Sequence, residues 1–294
     1  MLKTLDGERA ACALPDLGAV RVHGADALKF LQGQLSNDTD RLPLEKSQLA
    51  GLHTAQGRVI ALLRLVMTGP DDVLAILPRE LAAPVAARLA KYVLRAKAKV
   101  TEASTDWVFS GDTTEPQPDG HSIFVSLADG RSLIARPTGV GEALSSDSAA
   151  REHWRALDIA AGIPQVYAAT SEAFVAQMLN LDVLRAISFE KGCYTGQEII
   201  ARAHYRGRVK RRMQRFRTRS ATRVAAGDTL KLSDGRSAKV VDAVAVGDGR
   251  YEFLAVAHMG GGSEESTSAV ESAEALTQTA IDVESLPLPY ALPD

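Results

Sequence analysis

The chain has 294 residues, of which 46% are hydrophobic, 24% charged and only 5% aromatic, and its net charge is -2. A chain of that length buries roughly 75% of the surface its unfolded form exposes, so a core is available without metal or disulfide staples, and about 150 residues per domain suggests about two domains. The charge balance excludes a globally basic nucleic-acid binder; no stretch reaches the ~18 uninterrupted apolar residues of a membrane span; and Cys12 and Cys193, the two cysteines, give neither a disulfide framework nor metal-ligand spacing, which fits a reducing cytoplasm.

The start carries Asp6 and Glu8 and no apolar run of signal-peptide length, so secretion is not expected. Residues 19–22 read as a strand, and Leu28, Leu31 and Leu35 recur at helical spacing after Gly24-Ala25-Asp26. Residues 48–54 and 59–67 read as two strands around a turn at Ala55-Gln56-Gly57-Arg58, followed by a strand at 72–77. A helix is expected over 79–94 with Leu81, Val85, Leu89, Tyr92 and Val93 on one face, kinked or delayed by Pro84. Short β-prone runs between 97 and 136, broken by glycines and prolines, predict antiparallel pairing. A helix over 148–160 follows, and three short alternating runs over 229–256 suggest a small closed β module. Gly260-Gly261-Gly262-Ser263 opens a stretch that reads as a flexible linker or exposed insertion, after which an apolar, proline-rich end docks back as an extended strand.

The densest local information lies at residues 187–202. Thr195-Gly196-Gln197-Glu198 matches a capping box, in which the threonine hydroxyl and the glutamate each satisfy an orphan amide, and predicts a helix from about Gly196 to about Tyr205. Cys193 stands two residues before that cap and Lys191 two residues before the cysteine, a setting that favours the thiolate and makes Cys193 a candidate reactive thiol. The same spacing also suits a buried structural cysteine in a tight loop. Gly192 and Gly196 supply turn conformations or let a ligand approach the backbone.

Charge is unevenly spread. Residues 199–227 hold ten Lys or Arg and no acid, and residues 260–294 hold seven acids and no base. Clustered cations are the footprint of phosphate binding. Alternate arginines of a strand over 211–219 could equally line a solvated face or pair with distant acids, and aromatic interleaving is sparse. Trp107 and Trp154 are the two tryptophans, and an indole either fills a core or stacks on a flat heterocycle.

Lys191-Gly-Cys-Tyr-Thr-Gly-Gln-Glu198 strongly resembles the signature of the YgfZ family of folate-binding proteins, relatives of the glycine-cleavage T-protein that support iron-sulfur enzymes. Phe30-Leu-Gln-Gly-Gln-Leu35, Ala55-Gln-Gly-Arg58, Lys91-Tyr92, Ala161-Gly-Ile-Pro164, Asn180-Leu-Asp182, Tyr205-Arg-Gly-Arg-Val-Lys-Arg211 and the terminal Leu288-Pro-Tyr290 are similar to the family's landmarks, in order. The insertion at 260–280 has no counterpart. The resemblance implies an α+β, T-protein-like folate-binding fold: ferredoxin-like and antiparallel pieces around a central channel, with a small C-terminal β-barrel. It implies a folate-binding region over 1–215, the barrel over 216–259, the flexible insertion over 260–280 and a terminal segment over 281–294.

By the same resemblance the cofactor is tetrahydrofolate or a derivative, Cys193 and Lys191 are the working groups, and Trp154, Tyr194, Gly196, Gln197, Glu198, Asn180 and Arg58 hold the folate. A second tryptophan common in the family is replaced by Leu17. Where the T-protein has Gly-Gly-Val-Ile-Asp-Asp, with the aspartate needed for aminomethyl transfer, this chain has Gly57-Arg-Val-Ile-Ala-Leu62. Both carboxylates are gone, and with them the acid-base help that reaction needs. The expected function is a cytoplasmic tetrahydrofolate-binding accessory protein for assembly or repair of iron-sulfur clusters, with client enzymes that include tRNA methylthiotransferases and a weak tRNA contact through 202–223. The alternatives are a folate-dependent one-carbon transferase or demethylase, and an RNA-binding module.

Overall fold

The computed structural model describes residues 11–44, 46–114, 119–141, 147–207, 209–220, 223–260 and 281–293. In chain order it contains β1 (Cys12–Ala13), β2 (Leu17–His23), α1 (Ala27–Gln34), β3 (Gln48–His53), β4 (Val59–Gly69), β5 (Asp72–Pro78), α2 (Arg79–Ala90) and β6 (Lys99–Glu102). These are followed by β7 (Trp107–Asp112), β8 (Ile123–Ser126), β9 (Ser132–Pro137), α3 (Ser148–Ala160), α4 (Gln197–Arg206), β10 (Arg211–Arg219), β11 (Thr229–Lys231), β12 (Ser237–Ala245), β13 (Arg250–His258) and β14 (Val283–Leu286). The expected insertion, 261–280 of it, lies outside the described residues, as does Arg208.

The chain divides into two compact units, one of Met1–Ala50 and Leu63–Trp154, the other of Gly51–Leu62 and Arg155–Asp294. Three antiparallel sheets carry the fold, in the orders β1-β7-β9-β8, β3-β4-β5-β2-β6 and β11-β12-β13-β10-β14. β3 and β4 run from one unit into the other.

In the first unit, β2 is paired on both sides, by β5 and by β6, so its Ala19, Val20 and Val22 are fully buried. That burial suits β-branched and small residues on a pleated surface. Helix α2 covers these strands with Leu81, Val85 and Leu89. Pro84 is tolerated inside it on the exposed side. The helix ends at Ala90, not at 94: turns through Lys91, Tyr92 and Val93 replace the last predicted turn, and Tyr92 is exposed and Val93 only half-buried instead of joining the buried face.

In the second unit, β10 is the axis. It pairs with β13 along its whole length and with β14 on its other side, bringing Phe216 and Phe253 into a stacked pair 5.6 Å apart in the core. A boundary at 215–216 would cut this strand. Among the described residues the expected C-terminal barrel is a five-stranded antiparallel sheet, with one isolated bridge, Leu232 to Ile281, just outside its two outer strands. A register shift in β12 between Val240 and Asp242 turns the Asp242 carboxylate onto Arg155, whose Nε donates to it at 2.6 Å, and onto the Tyr167 hydroxyl at 3.2 Å. Burial still raises the Asp242 pKa to about 6. The terminal segment is fixed by β14 and by Tyr290, whose hydroxyl donates to the Gly162 carbonyl at 2.7 Å.

No helix among the described residues is long and apolar enough to cross a membrane.

Candidate functional site

Residues 191–197 form an irregular loop that enters α4, and burial alternates sharply along it. Lys191 and Tyr194 are buried, whereas Gly192 and Cys193 are exposed. The loop is thus anchored by two long side chains and offers its thiol to solvent. The Lys191 ammonium lies 5.3 Å from the centre of the Tyr194 ring, a cation-π arrangement. Burial pushes the Tyr194 phenol up to about 12, so it stays protonated across the physiological range.

Helix α4 begins where the sequence predicts, but not by the predicted means. Its N-cap is Gly196 in the left-handed region (φ 84°), and no side-chain hydrogen bond caps it, so the Thr195/Glu198 capping box is not made. The reason is steric. A Cβ at Gly196 would lie 2.5 Å from the Thr54 carbonyl oxygen and 3.1 Å from Cα of Gly57. Only glycine allows the hairpin turn between β3 and β4 to press against the helix start. Gly57 reciprocates, with φ 71° and a virtual Cβ 3.1 Å from the Ile199 side chain. Two glycines, far apart in sequence, therefore set the position of the Cys193 loop against the turn.

The other expected binding residues in this unit divide into two groups. Gln197 and Glu198 stand in the first turn of α4, beside the loop. Arg58 and Asn180 are committed to holding the backbone. The Arg58 guanidinium donates to the carbonyls of Glu172 and Ala173 at 3.2 and 3.1 Å. Asn180, fully buried and left-handed, donates to the Met213 carbonyl at 2.9 Å and lies 3.4 Å from the Tyr290 hydroxyl. Trp154 belongs to the first unit. It is 7% exposed and forms part of that unit's core. Its ring is covered by the Arg131 guanidinium at 4.2 Å, and a Cβ on Gly111 would lie 2.3 Å from it.

Two polar groups that sequence reasoning missed lie in the same unit as the loop. Gln177 donates to the Ile200 carbonyl of α4 at 2.7 Å, while its buried Oε1 has no hydrogen-bond partner. His53, at the end of β3, is fully buried, with the Gly51 backbone beside its ring. Its ring centre is 6.3 Å from that of Tyr194. Burial lowers its pKa to about 4, against a smaller opposing pull from the Gly51 backbone, so the ring is neutral near pH 7.

The basic run is paired in its middle, within β10. Arg212 is buried and makes a two-pronged ion pair with Asp182, at 3.0 and 2.9 Å, and donates to the Gln177 carbonyl. Arg215 and Arg217 both bind Glu252 on β13, and Arg217 also reaches Glu284 on β14. These three arginines are cross-braces of the sheet and not an open cationic face. Among the described residues Arg202, Arg206, Lys210, Arg219 and Arg223 are exposed and form no ion pair, the first three at the end of α4 and just after it. At the end of α4 Phe189 stacks on His204 at 3.8 Å, with Tyr205 at a steep angle to both and 67% exposed.

No protein-family model matches the chain. Among curated proteins it is 30% identical over 313 aligned positions to the tRNA-modifying protein YgfZ of Yersinia enterocolitica, covering 95% of this chain and 92% of that protein. It is 32% identical to the protein of the same name from Yersinia pseudotuberculosis, with the same coverage. Among solved structures it is similar to the glycine cleavage system aminomethyltransferase T from Bartonella henselae, with a TM-score of 0.63, 17% identity, and coverage of 84% of this chain and 78% of that one. The α+β fold is therefore T-protein-like.

Proposed function

Because this chain belongs to the YgfZ family, we propose that it is a tetrahydrofolate-binding accessory protein of the cytoplasm that assists assembly or repair of iron-sulfur clusters in client enzymes, including those that methylthiolate tRNA. The observation that carries this reading is the exposed Cys193 on a loop pinned from both sides by buried Lys191 and Tyr194 and by the glycine contact at Gly196. An accessible thiol held on a fixed backbone suits transient ligation of one iron of a cluster in transit. Clusters take about four thiolates, and the second cysteine, Cys12, is buried in the core of the other unit, so the remaining ligands come from the client.

The residues around the loop fit a flat heterocycle carrying hydrogen-bond donors. Tyr194 offers a ring within the loop. Gln197 and Glu198 add polar groups at the helix start. A reduced folate supplies nucleophilic ring nitrogens that carry one-carbon units. At the position of the T-protein's aspartates this chain has Ala61 and Leu62, both buried in β4, so no carboxylate stands there to move a proton. Binding is then retained and aminomethyl transfer is not.

Contact with tRNA, in this reading, is confined to the exposed end of α4. Arg202, Arg206 and Lys210 supply charge and the Phe189, His204 and Tyr205 rings a stacking surface. The test combines titration of tetrahydrofolate into the purified chain with complementation of a deletion strain, read as methylthiolated tRNA bases and iron-sulfur enzyme activity. Saturable folate binding and restored methylthiolation are expected. Turnover of folate on addition of methylamines would favour a one-carbon transferase, and failure to restore methylthiolation would overturn the accessory role.

A further inference from the structure

The turn that leaves α2 carries large apolar side chains outward. Tyr92 is 48% exposed and Leu94 86%, although helical spacing predicts Tyr92 on the buried face. This exposure is not that of a loose chain. The Tyr92 N–H donates to the Leu89 carbonyl and the Leu94 N–H to the Tyr92 carbonyl, each at 3.0 Å. Farther on, the Lys97 N–H donates to the Asp26 carboxylate at 2.7 Å, and the Lys97 carbonyl accepts from the Asp26 N–H at 3.1 Å. Gly24, at φ 120°, permits this closure, since a Cβ there would lie 2.4 Å from the Lys97 carbonyl oxygen. A held backbone thus keeps two apolar groups in water, where their burial contributes nothing to the fold.

The same turn is cationic. Lys91, Arg95, Lys97 and Lys99 are exposed, no acid lies between Lys91 and Lys99, and among the described residues none of the four forms an ion pair. Lys99 stands on β6, at the edge of its sheet, and a lysine there by itself does no more than guard an open strand. That leaves Leu94 unexplained. Phosphates would take the cations and a base would stack on Tyr92, but an aliphatic side chain in water serves neither. An apolar centre with a charged rim is how protein interfaces are built.

We infer that the turn over 91–99 is the docking surface for the client protein, whose contact face has an apolar site for Tyr92 and Leu94 surrounded by carboxylates. This rests on the accessory reading and adds to it the face by which the client is held, on the first unit. The complementary charges speed encounter and exclude basic partners, while Leu94 and Tyr92 supply the area removed from water. Asp26, the acid bonded to the turn, is committed to the Lys97 N–H. The fixed backbone lowers the ordering cost of binding.

The experiment measures binding of the full chain to a purified tRNA methylthiotransferase and, separately, to tRNA, for wild type, Leu94→Asp, Leu94→Ser and the double variant Lys91→Glu/Arg95→Glu, and repeats the deletion-strain complementation with each. Both Leu94 variants are expected to weaken enzyme binding about tenfold or more, as for a central interface contact, with melting temperature and tetrahydrofolate affinity unchanged. The charge variant is expected to slow association at low salt and to flatten its salt dependence. Enzyme binding undiminished by the Leu94 variants would overturn the inference, as would a wild-type protein that restores methylthiolation without binding the enzyme; both results leave the accessory reading intact. Binding of tRNA that depends on Leu94, with enzyme binding unaffected, would overturn it in favour of an RNA surface. A wild-type protein that fails to restore methylthiolation overturns the accessory reading and the inference with it.

Discussion

Gly196 and Thr54 approach so closely that a methyl group on the glycine would lie 2.5 Å from the threonine's carbonyl oxygen. That distance fixes where α4 starts and where the Cys193 loop stands, because the obstacle is backbone and cannot rotate away. Gly196→Ala must therefore adopt a left-handed conformation and also push the 54–57 turn aside. A loss of about 2 kcal/mol or more is expected, measured by urea unfolding. Gly192→Ala is the control: nothing lies within 4 Å of its virtual Cβ. Equal stabilities of the two variants would mean that the turn contact does not position the loop.

In the first unit Gly111 plays a purely steric role. Its virtual Cβ lies 2.3 Å from the indole of Trp154. Gly111→Ala should overpack this core and cost about 1–3 kcal/mol. Trp154→Phe, which gives the added methyl room, should partly rescue it in the double variant. Strictly additive losses would show that the two residues do not share the space. Because Trp154 is a core residue, a loss of folate binding in a Trp154 variant is informative only when its melting temperature is reported beside it.

Arg212 offers the sharpest test of how the basic run is used. Arg212 is buried and its partner Asp182 is 11% exposed, and removing one partner of such a pair leaves the other charge uncompensated, at a typical cost of about 3–5 kcal/mol when fully buried. Arg212→Leu should destabilise the protein by about 2–4 kcal/mol, toward the lower end because water still reaches Asp182, whereas the exposed Arg202→Leu should stay within about 0.5 kcal/mol. Measured salt dependence of RNA binding should fall with Arg202→Leu.

These cases indicate what the sequence makes legible. The hairpin at 55–58 could be read because its turn chemistry is local: Gly57 takes φ 71° between two strands. The start of α4 could be read, but through a capping box that is not formed, since the glycine's true neighbour is Thr54, more than a hundred positions away. The run of cations was plain in composition. Its pairing was not, because Asp182, Glu252 and Glu284 stand 30, 37 and 67 positions from their arginines. His53 gives no signal at all: burial is a property of packing, and a histidine in a strand looks the same whether buried or exposed.

His53 also predicts a pH dependence. Its pKa falls from 6.5 unfolded to about 4 folded, so between those values the unfolded chain binds the extra proton. The stability associated with the neutral ring is complete above pH 6.5 and is lost as pH falls toward 4, by roughly 3 kcal/mol in all. Asp242 acts in the opposite sense: its pKa is raised to about 6, so its contribution is present at low pH and lost as pH rises through 6. Absolute curves mix the two, and the difference between wild type and His53→Phe isolates the histidine. The variant should gain on the wild type by that order between pH 7 and pH 4, as followed by denaturant unfolding. A constant difference across the range would mean that the ring is not desolvated.

The two thiols should separate cleanly. Cys193 is exposed on its loop, and Cys12 is buried in the core of the first unit with Phe109 and Leu133. In the native protein an alkylating reagent should modify Cys193 alone, and Cys12 should react only at the rate of unfolding. The alanine variants should then differ in kind. Cys12→Ala leaves a small cavity and should cost about 1 kcal/mol with client activity retained. Cys193→Ala removes no packing and should leave stability within about 0.5 kcal/mol, yet should fail to restore tRNA methylthiolation in the deletion strain. The combination is diagnostic, because a loss of function without a loss of stability cannot come from a scaffold residue. If the Cys193→Ala protein complements fully while Cys193 alkylates readily, the thiol is accessible but idle, and the loop's role reduces to holding the ligand beside Tyr194.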